Sequence, residues 1–417
     1  MMQRRTLIQS GAAMALGAPA LVGFAQQSVK LKFHTFMSPQ SNVWLNMHKA
    51  WMDKVTQDSG GRIQFEGYPA MQLGGSPVQL NDQAKNGVVD IVWTLPGNTP
   101  GRFPRIEAFE LPFMMNNAEA TSRAYWEFVQ TVAQDEFRDV HPIALHVHGP
   151  GVIHMRDKLV RTAADLVGSK VRGPTRQITK MLGFLGATPV GMPLPAITDS
   201  LSKGVIDGCV IPWEVVPAVK VQELAKFHSE FDPAGGALYT TTFVMAMNKA
   251  RYASLAPDLK AVIDKHSGAT TSAWLGRVQQ QGDIAGREAA VKAGNTIHTV
   301  PAAEAQAFKR KARLVEVEWM QDMDKRGFNG QQLLGPVNTI FPRCVADQKG
   351  HAQGAKRSRG FPRPGSATPR MVFLAATRRE RGKNCATRRC TPRPDTRSGR
   401  RRAPVLALFL PRSHLEK

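Results

Sequence analysis

The chain has 417 residues, and its 55 Lys and Arg against 33 Asp and Glu give a formal net charge of +22. Such an excess can indicate a nucleic-acid-binding protein, but 20 of the basic and only 4 of the acidic residues lie after residue 335, a net +16. The rest of the chain is therefore only mildly basic, and we expect no nucleic-acid partner.

Residues 1–25 have the pattern of a cleavable export signal. Arg4 and Arg5 precede an apolar run, and small residues lead to Ala25. We expect cleavage near Ala25 and export to the periplasm, by either the general or the twin-arginine route. No later stretch reaches the roughly 20 apolar residues that a membrane-spanning helix needs.

Helix and strand patterns alternate through the body, which predicts parallel β-α-β construction. Apolar residues at helical spacing predict a helix over 44–55, and a strand follows over 62–68. Ser76 is a good N-cap for a second helix that ends at Gly87. A buried strand is expected over 88–95.

One short pattern occurs twice. Gly-Val-Val-Asp-Ile-Val at 87–92 is matched by Gly-Val-Ile-Asp-Gly-Cys at 204–209, each after a predicted short helix. Many junctions of helix, glycine and strand look like this, so the pattern alone is ambiguous. Its functional interpretation is two lobes built on the same unit, whose strands both end at a shared ligand cleft.

Ordered motifs over roughly residues 30 to 335 carry a family resemblance. They are Gly61-Arg62-Ile63, Tyr68-Pro69, Gln72-Leu73-Gly74, the pattern at 87–90, Leu111-Pro112-Phe113, the segment 165–172, Met192-Pro193 and the pattern at 204–208. In this order they resemble the motifs of DctP-like TRAP transporter solute-binding proteins. The resemblance implies a receptor rather than an enzyme. It also implies a type II-like periplasmic α/β fold of two lobes with crossing strands and a long hinge helix, which we place between Ala256 and Gly294.

The resemblance also suggests how the chain is divided. We expect 26–149 and 238–280 in the first lobe, 150–237 and 281–335 in the second, and 336–417 as a basic tail. The tail is either disordered, the product of a shifted reading frame, or a basic arm for nucleic acid or anionic lipid. The implied partners are a small organic acid and the membrane subunits of a TRAP transporter, and we expect a monomer without a cofactor.

Arg172 is the predicted ligand anchor. A planar guanidinium binds a carboxylate through two parallel hydrogen bonds and stays charged near neutral pH. In the resembled family the arginine of this Lys-Val-Arg position binds the ligand carboxylate. The alternative is a surface arginine at a strand start. Members that bind doubly charged acids often have a second arginine upstream, where this chain has Gly-Val-Ile-His-Met at 151–155, so we expect one bound carboxylate.

We expect seven further side chains at the cleft, some from matching the resembled family and others from their position on a crossing strand or just beyond Pro212. They are Phe36, Thr94, Leu95, His148, Ile211, Trp213 and Glu214. The indole of Trp213 either stacks on the ligand or fills the core, and Glu214 accepts a ligand hydroxyl, binds sodium or lies in water. Apolar walls around one arginine favour an apolar or aromatic monocarboxylate, such as a 2-oxo or 2-hydroxy acid. A C4-dicarboxylate receptor of the same family and an ABC-type solute receptor are the alternatives.

The sequence carries no recognisable catalytic signature. It has no Gly-x-Ser-x-Gly elbow, no phosphate-binding loop and no Cys-x-x-Cys pair. The best metal candidates are His146 and His148 on one strand face, with His154 and Glu214 as helpers, but zinc needs three or four such ligands to converge. We therefore expect neither catalysis nor a metal site.

Overall fold

The computed structural model describes residues 28–115 and 117–337. The predicted export signal lies outside the described residues, as does all of the predicted tail except its first two residues. A helix runs over 330–337 and Val337 is buried. The packed chain therefore extends past residue 335, where we predicted that the body would end.

The strands form a five-stranded and a six-stranded sheet. In chain order they are β1 (Val29–Thr35), β2 (Ile63–Tyr68), β3 (Ile91–Thr94), β4 (Val140–Val147), β5 (Gly151–Met155), β6 (Lys170–Gly173), β7 (Thr188–Gly191), β8 (Gly208–Pro212), β9 (Phe227–Phe231), β10 (Thr242–Asn248) and β11 (Thr296–Val300).

Helices cover these sheets, and none in the described part of the chain is long and apolar enough to cross a membrane. In chain order they are α1 (Ala50–Asp58), α2 (Leu80–Lys85), α3 (Ala118–Phe128), α4 (Arg176–Phe184), α5 (Ile197–Ser202), α6 (Val221–Leu224), α7 (Lys249–Ala253), α8 (Pro257–Lys265), α9 (Gly268–Lys292) and α10 (Ala302–Lys325). A π-helical turn, Val43–Lys49, leads into α1.

The two sheets are mixed and are joined by two direct strand-to-strand crossings and by the helical segment α7 to α9 between β10 and β11. The first has the order β2-β1-β3-β10-β4 and the second β11-β9-β5-β8-β6-β7. In the first, β1 runs parallel to β2 and β3, whereas β10 is antiparallel to β3 and β4. The chain passes from the first sheet to the second between β4 and β5, and returns between β9 and β10. The predicted two-lobed α/β fold with crossing strands is confirmed.

The repeated sequence pattern has the same structure in both lobes. Asp90 accepts the backbone N–H of Lys32 at 2.7 Å, and Asp207 accepts that of Lys170 at 2.8 Å. In each case the donor lies on the neighbouring parallel strand, β1 or β6. The aspartate therefore fixes the start of each repeated strand against its neighbour, which explains why the pattern occurs once per lobe.

The predicted strand over 88–95 is shorter than expected. The backbone N–H of Val88 still donates to the carbonyl of Gln83, so the turn that ends α2 extends to this residue. Val88 is 58% exposed, and the strand begins only at Ile91. Hydrophobicity alone does not separate these turn residues from the strand.

The predicted hinge helix between Ala256 and Gly294 is two helices, α8 and α9. The helical segment is interrupted at Ser267, which is the N-cap of α9. The Ser267 hydroxyl donates to the carbonyl of Ile263 at 2.7 Å. The 25 residues of α9 span about 38 Å at 1.5 Å per residue. This helix packs on α3 and β4 of the first lobe and on the turn after β8 of the second.

Candidate ligand-binding site

A cavity lies between the lobes, beyond the carboxyl ends of strands from both sheets. Phe36 and Met37 follow β1, Leu95 follows β3, Pro174 follows β6, and Pro212 ends β8. The space between the lining atoms is about 390 Å³, including the part open to solvent. Strand ends of an open α/β sheet are the expected position for such a site.

Arg172 is the only permanently charged cation among the described lining residues. It is 3% exposed, and its Nε and Nη1 donate to the carbonyls of Met192 at 2.9 Å and Val210 at 3.2 Å. Burial lowers its pKa to about 10, so it remains charged near neutral pH. No carboxylate in the described part of the chain forms an ion pair with it, and it retains N–H donors for a ligand.

Aromatic side chains form the first-lobe wall of the cavity. The rings of Trp93 and Phe243 stack with centroids 4.5 Å apart and an interplanar angle of 12°, and Phe36 lies 5.4 Å from Trp93. The Nε1 of Trp93 donates to His146 at 2.7 Å, which fixes the indole. The second lobe adds the aliphatic side chain of Ile211. The walls suit a flat apolar ligand body.

The other titratable side chains of the cavity add no positive charge at neutral pH. Burial lowers the pKa of His148 to about 4, so its imidazole is neutral. Burial raises the pKa of Glu214 to about 7, and this carboxyl accepts a hydrogen bond from Gln279 at 2.7 Å. The positive charge of Arg172 can therefore compensate the negative charge of one ligand carboxylate.

Six of the eight predicted site residues line this cavity. They are Phe36, Leu95, His148, Arg172, Ile211 and Glu214.

Thr94 and Trp213, the other two predicted site residues, lie outside this cavity lining. Successive side chains of a strand point to opposite faces, so Thr94 lies on the face opposite Trp93 and donates to the carbonyl of Pro77 at 3.3 Å. The indole of Trp213 packs against His154 and donates to Glu230 at 2.9 Å. Both side chains have structural partners and lie outside the cavity lining.

Sequence reasoning missed three aromatic side chains that line the cavity, Trp93, Tyr239 and Phe243. Trp93 could have been found from strand alternation with Leu95, because residues two apart share a face. Tyr239 lies in the second crossing and Phe243 in β10, both far along the chain from Arg172, and no local motif marks them.

The histidines considered for metal binding have other partners. His146 accepts from Trp93, and the Nδ1 atoms of His154 and His228 lie 2.7 Å apart. Across residues 28–115 and 117–337, no group of three or more His, Cys, Asp or Glu side chains is arranged to hold a metal ion.

Comparison with known proteins agrees with this fold. The family model described as bacterial extracellular solute-binding protein, family 7, matches residues 33–321. A TRAP solute-binding protein from Rhodoferax ferrireducens T118, solved in complex with copurified benzoate, is 69% identical. The match covers 77% of this chain and 100% of that one, with a TM-score of 0.77.

Two further solved structures cover a similar share of this chain. A marine metagenome TRAP solute-binding protein specific for aromatic acid ligands, solved with 3-hydroxybenzoate, is 46% identical, with a TM-score of 0.75. It covers 76% of this chain and 99% of its own length. A TRAP periplasmic protein from Bordetella bronchiseptica with bound mandelate is 25% identical, covers 76% and 99%, and has a TM-score of 0.68.

Proposed function

Because the chain belongs to the bacterial extracellular solute-binding proteins of family 7, the receptors of TRAP transporters, we propose that it captures a small aromatic monocarboxylate. It delivers this ligand to a TRAP membrane permease. The observation that carries the proposal is a buried Arg172 with no carboxylate partner among the described residues, in a cavity walled by aromatic rings.

The ligand carboxylate supplies the missing partner of Arg172. An ionised side chain out of water is costly unless it is paired and hydrogen-bonded. A carboxylate from solution meets this need, and the planar guanidinium can bind it through two parallel hydrogen bonds. The aromatic wall of Phe36, Trp93 and Phe243 then contacts the ring of the ligand, in offset or edge-to-face contact.

A dicarboxylate such as succinate fits this cavity poorly. Its second carboxylate would meet a neutral His148 and the Glu214 carboxyl, and a buried carboxylate without a partner costs several kcal/mol. The similar proteins solved with benzoate, 3-hydroxybenzoate and mandelate support an aromatic acid. A C4 dicarboxylate is thereby disfavoured as the ligand.

We further propose that the ligand is trapped when the lobes close about α9 and the two crossings. Lining residues come from both lobes, so a bound ligand stabilises the closed arrangement over the open one. Export to the periplasm with cleavage near Ala25 remains a prediction.

A thermal-shift comparison tests the ligand class. A ligand that binds only the folded state stabilises it by RT ln(1 + [L]/Kd), about 2.7 kcal/mol at a hundredfold excess over Kd. We expect benzoate, 3-hydroxybenzoate and mandelate to raise the Tm of the purified chain, and succinate and malate to leave it unchanged. A shift with succinate or malate alone would refute the proposal.

A further inference from the structure

We propose that the Tyr239 hydroxyl donates a hydrogen bond to the ligand carboxylate beside the Arg172 guanidinium, which makes Tyr239 a second anchor of the site. This inference rests on the proposed function and names a residue that determines how the carboxylate is held. Tyr239 belongs to the second crossing, shortly before β10, and lines the same cavity as Arg172.

The Tyr239 hydroxyl is buried without a partner in the described part of the chain. The residue is 1% exposed, and its Oη accepts and donates no hydrogen bond there. Buried tyrosine hydroxyls usually have a partner, because an unpaired buried hydroxyl loses its hydration without compensation. A ligand acceptor in the cavity supplies that partner.

Electrostatics make this hydroxyl a neutral donor next to a cation. Burial raises the pKa of Tyr239 well above 10, although the positive charge of Arg172 opposes the shift. The phenol therefore keeps its proton at physiological pH. It can donate one hydrogen bond to a carboxylate but adds no positive charge, so Arg172 and Tyr239 together match a single carboxylate.

Gly151 explains how the ring reaches this position. Its backbone N–H donates to the Tyr239 carbonyl at 2.9 Å. A Cβ on this glycine would lie 1.9 Å from the tyrosine ring, closer than any real contact. The ring therefore occupies the space that a side chain at the start of the segment 151–155 would need. This arrangement holds a phenol in the cavity and excludes a bulky residue at Gly151.

The test is Tyr239→Phe, which removes the hydroxyl and keeps the ring. The matched control is Tyr125→Phe, because Tyr125 is also fully buried but does not line the cavity. Calorimetry should show benzoate and 3-hydroxybenzoate each binding about tenfold more weakly to Tyr239→Phe, as expected for one hydrogen bond to a charged group. Tyr125→Phe should bind as wild type does. The unliganded Tyr239→Phe variant should melt no lower than wild type, because it loses an unpaired polar group.

Three outcomes would overturn parts of this account. Unchanged affinity of Tyr239→Phe for both acids would refute the second anchor while leaving the proposed function intact. A loss confined to 3-hydroxybenzoate would assign the phenol to the ring hydroxyl and refute its contact with the carboxylate. Failure of the wild-type chain to bind either acid would refute the proposed function itself, and the inference with it.

Discussion

At the scale of single residues, Arg172 is unusual because its charge is almost fully buried and its protein hydrogen bonds go to carbonyl oxygens. These carbonyls accept hydrogen bonds from some of the guanidinium N–H groups, but they do not neutralise its positive charge. Desolvation of an unpaired charge is unfavourable, so binding an anion at this residue is favourable. In the proposed function, this buried charge serves to select an anionic ligand and not to stabilise the fold.

We predict that Arg172→Ala binds benzoate roughly 30- to several-thousand-fold more weakly, as expected for truncating one partner of a buried charge pair at about 2–5 kcal/mol. The unliganded variant should be as stable as wild type, because the substitution removes an uncompensated buried charge. Arg156→Ala is the control, since Arg156 pairs with Asp157 in the same lobe. Calorimetry and thermal unfolding give both readouts, and wild-type affinity in Arg172→Ala would contradict the anchor.

The sequence predicted Arg172 but not the full site, for a physical reason. Arg172 belongs to a local motif, whereas Trp93, Tyr239 and Phe243 meet only through strand crossings and sheet pairing. From the sequence, the indole of Trp213 could either stack on the ligand or fill the core. In the structure its N–H donates to Glu230, and the residue lies outside the cavity lining. A local sequence pattern does not predict which side chains of a turn point into the cavity.

At the scale of elements, α9 joins the lobes through a close contact at Gly286. A Cβ on Gly286 would lie 1.9 Å from the carbonyl oxygen of Trp213. Next to it, Asp283 accepts the backbone N–H of Glu214 at 2.9 Å. The glycine lets the helix touch the backbone that follows β8, so the helix position is tied to the cavity wall at Glu214.

We predict that Gly286→Ala destabilises the protein by about 1–3 kcal/mol, because the added methyl must push the helix from the Trp213 backbone. Gly183→Ala in α4 is the matched control, since its Cβ would meet nothing closer than 3.7 Å. It should be neutral or stabilise by up to roughly 1 kcal/mol, the cost of a helical glycine relative to alanine. Urea unfolding measures both, and equal stability of the two variants would contradict the close contact.

The hinge region also shows what element prediction misses. Alanine-rich composition correctly predicted helix between Ala256 and Gly294 but as one segment. The break depends on Ser267, whose capping position is followed by Gly268 with φ +87°. Such a serine and glycine pair is a boundary signal, and it outweighs average helix propensity.

At the scale of the whole molecule, buried neutral histidines link stability to pH. Burial lowers the pKa of His146 to about 3 and those of His148 and His228 to about 4. Unfolding restores values near 6.5. The stability these groups contribute is therefore fully present above pH 6.5 and is lost as pH falls toward 4. Glu110 and Glu214, with pKa values raised to about 7, act oppositely and lose their contribution as pH rises from about 4.5 to 7.

We predict that the urea concentration at the midpoint of unfolding decreases as the pH is lowered from 7 to 5. In the described residues, histidines with lowered pKa outnumber carboxyls with raised pKa, so the unfolded chain takes up more protons in this window. Urea titrations at pH 7, 6 and 5 in one buffer ionic strength measure the trend. A midpoint that rises on acidification would show that the buried carboxyls dominate.

Calorimetric titration of the purified chain with benzoate and with succinate, at one pH and salt concentration, tests the central claim most directly. The single buried cation and the aromatic wall predict that benzoate binds at least about tenfold more tightly, a difference of about 1.4 kcal/mol. Tight binding of succinate with no detectable binding of benzoate would contradict the account, because it would require a second cationic partner that the described cavity does not contain.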